Sequence, residues 1–283
     1  MATETAEPMN HRPEATPLAA RPRFSEALAE LWRYRGLLRL WALREIRARY
    51  KQSVLGAAWA LLQPLALAAM FSLVFARLLP LPADGPPYPL FSYSAVLVWT
   101  FFSTGISAAA SSLTTHMNLV SKVYFPREVL PLAAVAAAGV DFLVASSGLV
   151  LLFLWYGWPL HWTAVWALPI LAVLLLLMAG LGLLAAATIV YIRDLRFVVP
   201  LGLQLWFYAS PVLYPVELVP ERLRPWYALN PMVGLLGGLR DALLLGKSPD
   251  PRLLGPALVL ALLGALLGYA IFKRLEQGFA DVI

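Results

Sequence analysis

The sequence predicts an all-α membrane protein: six transmembrane helices, an N-terminal amphipathic interface helix, and an external re-entrant helical hairpin before the last span. Three observations predict it. Of the 283 residues 60% are hydrophobic and only 13% are charged, whereas soluble domains carry about 25% charge. The apolar residues run in long unbroken stretches rather than the short alternating strands of an outer-membrane barrel, so helices must satisfy the backbone inside the bilayer. The basic residues are also unevenly distributed along the chain, which gives the spans a direction.

Residues 1–23 hold Pro8, Pro13, Pro17 and Pro22 among Ala, Glu, Thr and Arg; with no run able to bury area, they read as a disordered cytoplasmic arm. No cleavable signal peptide is expected ahead of the first span. From 24 to 53 the composition turns to Leu, Trp and Arg. At 100° per residue Leu37, Leu38, Trp41 and Ala48 share a face while Arg39, Arg44 and Arg47 lie elsewhere, which predicts an amphipathic helix at the interface. The membrane domain, 54–283, then offers stretches near the ~20 residues that cross about 30 Å of hydrocarbon: 56–79, 91–114, 129–156, 164–191, 197–214 and 253–272. A further apolar piece, 225–246, is broken by Asn230-Pro231, Gly234, Gly237-Gly238, Arg240 and Asp241. Its clean run is too short to cross, so a re-entrant hairpin is expected.

Charge fixes the direction. With six spans and both termini cytoplasmic, the inner side receives 16 of the 22 Lys and Arg and the outer side six, as the positive-inside rule requires. Seven spans would strand Lys273 and Arg274 outside.

Function is first narrowed by absence. Three His, at 11, 116 and 161, are too scattered for a metal triad or a base–nucleophile pair, and there is no Cys for thiolate chemistry. No enzyme activity and no metal are expected. The string D-A-L-L-L-G-K-S at 241–248 has Asp241 where a phosphate loop needs Gly, and no strand precedes it. A nucleotide-driven process would therefore need a partner chain. Ion coupling requires ionisable groups within spans, and Asp141 is the one well inside a stretch. It is either a functional carboxylate or one satisfied by neighbours such as Ser146 and Ser147.

The spans do carry amides and aromatics at helical spacing. Trp59 and Gln63 are four apart, as are Phe71 and Phe75, and Gln204 and Tyr208, with Trp206 beside the last pair. Aromatic faces beside an amide suit sugars; interfacial anchoring and interhelical bonding are the alternatives. Between the second and third spans, V-S-K-V-Y-F-P-R-E-V-L-P (120–131) combines Tyr124 and Phe125 with Lys122, Arg127 and Glu128. An aromatic anchor ringed by charge is a docking pattern; a solvated turn is the other reading. G-A-L-L-G at 264–268 permits close helix approach.

Several of these blocks together resemble a known family: R-Y-K-Q-S-V-L-G-A-A-W-A-L-L-Q-P-L (49–65), V-S-K-V-Y-F-P-R-E-V-L-P-L (120–132), I-R-D-L-R-F-V-V-P (192–200), L-Q-L-W-F-Y-A-S-P-V-L-Y-P (203–215), L-N-P-M-V-G (229–234) and F-A-D-V-I (279–283). Over roughly 30–283 the chain resembles the ABC-2 type polysaccharide export permeases, the membrane subunits of O-antigen, capsule and teichoic acid exporters. The resemblance implies a channel between two copies in a bacterial inner membrane. Two separate ABC ATPase subunits would bind ATP and Mg, and no cofactor is expected in this chain. It implies a glycan on undecaprenyl pyrophosphate or a comparable carrier as substrate, and no nucleic acid among the partners. Lys122, Tyr124, Phe125, Pro126, Arg127 and Glu128 would then form the ATPase-coupling segment, and Arg44, Arg47, Arg49 and Lys51 a basic cytoplasmic mouth for the pyrophosphate. Trp59, Gln63, Phe71, Phe75, Gln204, Trp206 and Tyr208 would line the path, and Trp226, Tyr227, Asn230 and Pro231 the outer gate. A drug or lipid exporter of the same superfamily, and an ion-coupled transporter using Asp141, are the competing expectations.

Overall fold

The computed structural model describes residues 32–76, 85–122 and 125–279. The N-terminal arm, the start of the interface helix, residues 77–84, Val123, Tyr124 and the last four residues lie outside these. Among the described residues every regular element is helical: α1 Arg35–Tyr50, α2 Ala58–Phe75, α3 Tyr88–Thr115, α4 Met117–Lys122, α5 Val129–Tyr156, α6 Ala167–Tyr191, α7 Leu195–Tyr208, α8 Arg224–Tyr227, α9 Pro231–Leu243 and α10 Pro251–Glu276. A 3₁₀ turn, Trp162–Trp166, leads into α6.

Local chemistry explains the boundaries. Asn230 and Asp250 cap α9 and α10, their side chains accepting from Met232 N at 3.0 Å and Arg252 N at 2.9 Å, and Pro231 and Pro251 sit at the first helical position, where a missing N–H costs nothing. α5 ends at Gly157, whose φ of 58° is the left-handed conformation that glycine adopts without a Cβ clash.

Five of the expected spans appear as helices long and apolar enough to cross a membrane: α2, α3, α5, α6 with its 3₁₀ turn, and α10. The stretch expected at 197–214 does not. α7 has 14 residues, about 21 Å at 1.5 Å per residue, short of the ~30 Å core. The chain turns at Ala209, just ahead of Ser210-Pro211, where proline disfavours further helix, and other residues collect the carbonyls that the helix end leaves free. Asn230 Nδ2 donates to Ala209 O at 3.1 Å, and the Arg240 guanidinium donates to Pro211 O and Val212 O, each at 2.6 Å.

α3 is the centre of the bundle, packed by α2, α5, α6 and α7. Its Val96, Trp99, Phe102 and Ile106 lie in the main core with Leu174 and Met178 of α6 and Met232, Leu235 and Leu236 of α9. α6 and α10 meet backbone to backbone: a Cβ on Gly268 would lie 2.1 Å from Gly180 O, and one on Gly180 2.4 Å from Gly264 O. α9 is buried along nearly its whole length and packs against α10, where a Cβ on Gly234 would lie 2.1 Å from Leu253 O.

α1 does more than lie on a surface. Leu37 and Trp41 pack on the cluster formed by Leu113, Phe125 and Leu130 near the start of α5, while Arg49 and Tyr50 reach Asp141, twelve residues further into α5. The helix thus runs alongside α5 toward mid-bundle. Of its expected apolar face, Leu37, Leu38 and Trp41 are half-buried and Ala48 is exposed.

Candidate functional site

α3 buries one face and leaves another lined with hydroxyls. Thr100, Ser103, Thr104, Ser107 and Ser111 fall at spacings of three and four, which stacks them in one stripe. Ser103 Oγ donates to Thr100 O at 3.3 Å and Ser111 Oγ to Ser107 O at 3.1 Å. With their protons spent on their own helix, the Ser103 and Ser111 oxygens keep acceptor lone pairs free. The stripe floors an open groove of about 760 Å³, walled by Phe71 of α2 and by Leu203, Gln204, Phe207 and Tyr208 of α7.

A smaller hollow of about 230 Å³ lies beside it between α2, α3 and α5, bordered by Trp59, Gln63 and Asp141. Arg49, Thr100 and Thr104 border both hollows, so the two join into one polar strip. Where they join, Arg49 Nη1 pairs with Asp141 Oδ2, and Tyr50 Oη donates to Asp141 Oδ1 at 2.5 Å. Asp141 is thus neutralised from α1. Ser146 and Ser147, its expected partners, instead donate to Phe142 O and Val144 O, because hydroxyls in a helix reach back to carbonyls three or four residues earlier.

The structure divides the expected path residues. Trp59 and Gln63 border the small hollow, and Phe71, Gln204 and Tyr208 the large one. Phe75 borders neither; its ring lies 6.3 Å from that of Phe71. Trp206 turns inward, packing edge-on to Phe102 at 5.2 Å and donating Nε1–H to Asn230 Oδ1 at 2.8 Å. It borders neither hollow, since the 100° step from Trp206 to Phe207 and Tyr208 can put only part of that aromatic run on the groove.

At the opposite end from the 120–128 loop, Trp226 is 73% exposed. The Tyr227 hydroxyl lies 2.9 Å from that of Tyr214, and burial, reinforced by this hydrogen bond, pushes its pKa up. Asn230 spends both ends of its amide on Met232, Trp206, Ala209 and Ser210, and so ties the end of α7 to the start of α9; Pro231, at the start of α9, is buried. Arg240, 6% exposed, stacks 3.6 Å from the centroid of Phe91 while donating to three carbonyls. Beside it a hollow of about 610 Å³ is rimmed by Glu217, Arg224, Asp241 and Asp250. Burial raises the Asp241 carboxyl to about 6, with Glu217 and Asp250 adding to the shift and Lys247 and Arg240 opposing it.

In the 120–128 loop Lys122 is exposed, but Phe125 is 8% exposed and Glu128 fully buried. Phe125 joins Phe272 and Phe279 in one cluster, and Pro126 is buried as well. The aromatic expected as an outward anchor therefore points inward, drawn by the apolar end of α10. Of the four basic residues expected at the mouth, Arg44 lies 4.4 Å over the Trp41 ring, Arg47 and Lys51 are exposed, and Arg49 borders both hollows.

Compared with known proteins, residues 37–244 match the ABC-2 type transporter family. The chain is 32% identical over 260 residues to an O-antigen export system permease protein of Myxococcus xanthus, covering 90% of this chain and 98% of that one. It is 26% identical to an O-antigen export system permease protein of Klebsiella pneumoniae, over 85% of this chain and 92% of the relative. A polysialic acid transport protein of Escherichia coli is 23% identical, over 83% and 92% respectively.

Proposed function

The chain belongs to the ABC-2 type transporter family, and from that premise we propose that it is the permease subunit of an exporter that carries a lipid-linked polysaccharide outward across a bacterial inner membrane. Separate ABC ATPase subunits, two per complex, bind ATP and Mg and supply the energy. Relatives named for O-antigen export and polysialic acid transport support the choice of cargo. The observation that carries the reading is the hydroxyl and amide strip between α2, α3 and α7. A glycan presents hydroxyls that exchange hydrogen bonds with Thr, Ser and Gln, and C–H faces that Trp59, Phe71 and Tyr208 can cover. Lipid tails offer such a strip nothing.

The strip is open along one side, so we place a second copy across it, related by a two-fold axis that brings the same surface from each subunit to the shared path. Short α7 then serves as the fifth of six crossings and the external α8–α9 hairpin as the outer gate, with both termini cytoplasmic. The 1–23 arm stays outside the membrane, and α1 joins the interface to the path. Loop 120–128 meets the ATPase through Lys122 and its neighbours, while Phe125 and Glu128 pass the movement inward. An undecaprenyl pyrophosphate anchor would find Arg49 at the junction of the two hollows and Arg44, Arg47 and Lys51 on the way in. Ion coupling through Asp141 has less support, since Arg49 and Tyr50 already engage its carboxylate.

The test is export by the permease–ATPase complex in proteoliposomes loaded with a lipid-linked glycan. Gln63→Leu combined with Gln204→Leu should lower export several-fold while the ATPase still copurifies. Unchanged export would return both amides to packing.

A further inference from the structure

Three residues of the 120–128 loop grip the same piece of chain, the end of α10. Glu128, fully buried, receives Lys273 Nζ at 2.8 Å from Oε1 and 2.9 Å from Oε2. The same ammonium lies 3.0 Å from Glu276 Oε2. Arg127 returns the contact from the loop side. Its backbone N–H donates to Glu276 Oε1 at 3.4 Å, its Nη1 to the Glu276 carbonyl at 2.5 Å, and its guanidinium lies 5.6 Å over Phe279. Phe125 completes the clasp by packing into the buried cluster of Phe272 and Phe279. Tyr191, at the end of α6, donates to Leu275 O at 2.7 Å and ties that helix to the same turn.

The arrangement is more specific than adhesion requires. Two carboxylates face one ammonium and one guanidinium, so formal charge balances, and a carboxylate with no exposure survives only with partners of this kind. Well-packed apolar side chains often hold such a joint at least as firmly; what the charged clasp adds is a fixed register between loop and helix. From this joint α10 runs to the opposite end of the bundle. On the way it touches α6 backbone to backbone at Gly180 and Gly268, and near its other end it touches α9 at Gly234 and Leu253. α9 carries Arg240 and follows Asn230, the two residues that close the end of α7. One helix therefore connects the loop to the elements bordering the far end of the groove.

We propose that the terminal turn of α10, through Lys273, Glu276 and Phe279, is the positioning element that holds the 120–128 loop in register, so that movement of the loop is delivered along α10 to the α7–α9 junction. This rests on the reading of that loop as the ATPase contact. Lys273, Glu276 and Glu128 touch no substrate; they act through the loop's position.

The experiment measures glycan exported per ATP hydrolysed by the full permease–ATPase complex in proteoliposomes, for wild type, Lys273→Met and Lys273→Arg. Lys273→Met should leave the ATPase bound and hydrolysing while exported glycan per ATP falls by about tenfold or more, in keeping with the loss of a buried ion pair. Lys273→Arg, which keeps the charge, should hold the ratio within about twofold of wild type. A purely structural role would lower export and hydrolysis together and leave the ratio unchanged, which would overturn the proposal. If Lys273→Met fails to reach the membrane, Glu276→Gln takes its place, with a fall in the ratio expected and an unchanged ratio decisive against. The underlying reading has its own readout. A cysteine placed at exposed Lys122 should cross-link to the ATPase, and its failure to do so in a complex that exports would remove the loop as the contact, whatever the ratio does.

Discussion

Gly268→Ala should be among the most damaging single-methyl additions to this protein. A Cβ there would lie 2.1 Å from Gly180 O, 2.7 Å from Gly180 C and 3.0 Å from Gly180 Cα. These are backbone atoms, so no side chain can swing aside. Ordinary van der Waals contact begins at 3.4 Å, so relief along the closest line requires about 1.3 Å of separation, the difference of 3.4 and 2.1. Helices in a bilayer are held together largely by packing, and a gap of 0.5–1 Å already forfeits about a quarter to a half of each contact. Overpacking of this kind costs about 1–3 kcal/mol, or roughly 2–12 °C in Tm at about 2–4 °C per kcal/mol for a chain of this order. Two glycines of the same helix provide the comparison. A Cβ at Gly264 would meet only Leu177 Cδ1 at 3.7 Å, and one at Gly255 would meet nothing within 4 Å; both should accept Ala without loss. The assay is thermal unfolding of the purified permease in detergent, followed by its monodisperse fraction after heating. A Gly268→Ala protein as stable as wild type, or a Gly264→Ala protein that loses as much, would refute the reasoning.

Other expectations follow from the same contacts. Arg240→Leu should strand the carbonyls of Pro211 and Val212 at about 1–3 kcal/mol each; proteolysis in the 209–230 segment should accelerate, and wild-type resistance would contradict the role given to Arg240. Asp241 has a folded-state pKa raised from 3.8 to about 6. The folded protein therefore binds its proton more tightly than the unfolded chain does, and the stabilisation is full below about pH 4 and lost as pH rises through 6. Asp241→Asn should flatten the fall in Tm between about pH 4 and 6, and an unaltered pH slope there would remove the residue from that account. Asp141→Asn should weaken the hold on Arg49 and Tyr50 and expose the 49–58 connection to protease without abolishing ATP-driven export; complete loss of export with the connection still protected would favour ion coupling.

The parts of the fold legible in the sequence are those that depend on neighbouring residues. An unbroken apolar run implies a membrane helix, and Pro231, Pro251 and Gly157 mark boundaries by local sterics. The early end of α7 is partly local, since Ser210-Pro211 disfavours further helix, but Val212 and Leu213 resume the apolar run and hide it; the groups that satisfy the turn come from Asn230 and Arg240, some 20 to 30 residues on. Asp141 was visible as a costly carboxylate, but Arg49, its partner, lies 92 residues earlier, beyond any local pattern. Phe125 and Glu128 looked like surface anchors because the α10 end that covers them is about 150 residues away. The hydroxyl stripe of α3 is different. Thr100, Ser103, Thr104, Ser107 and Ser111 carry a plain helical period, and reading for hydroxyls as well as amides and aromatics would have found it.

The central claim is that this stripe lines an aqueous path for a glycan and does not face lipid. The chain contains no cysteine, so one thiol can be introduced at a time and its rate of reaction with a charged, water-borne reagent measured in membranes; the reactive thiolate forms only where water reaches. Thr104→Cys, on the stripe, should react readily in the permease–ATPase complex and slow when lipid-linked glycan is held in transit, whereas Leu143→Cys, 69% exposed at the middle of α5, should stay inert. Equal rates at the two positions, or a Thr104→Cys thiol that stays unreactive in a complex that is exporting, would contradict the account.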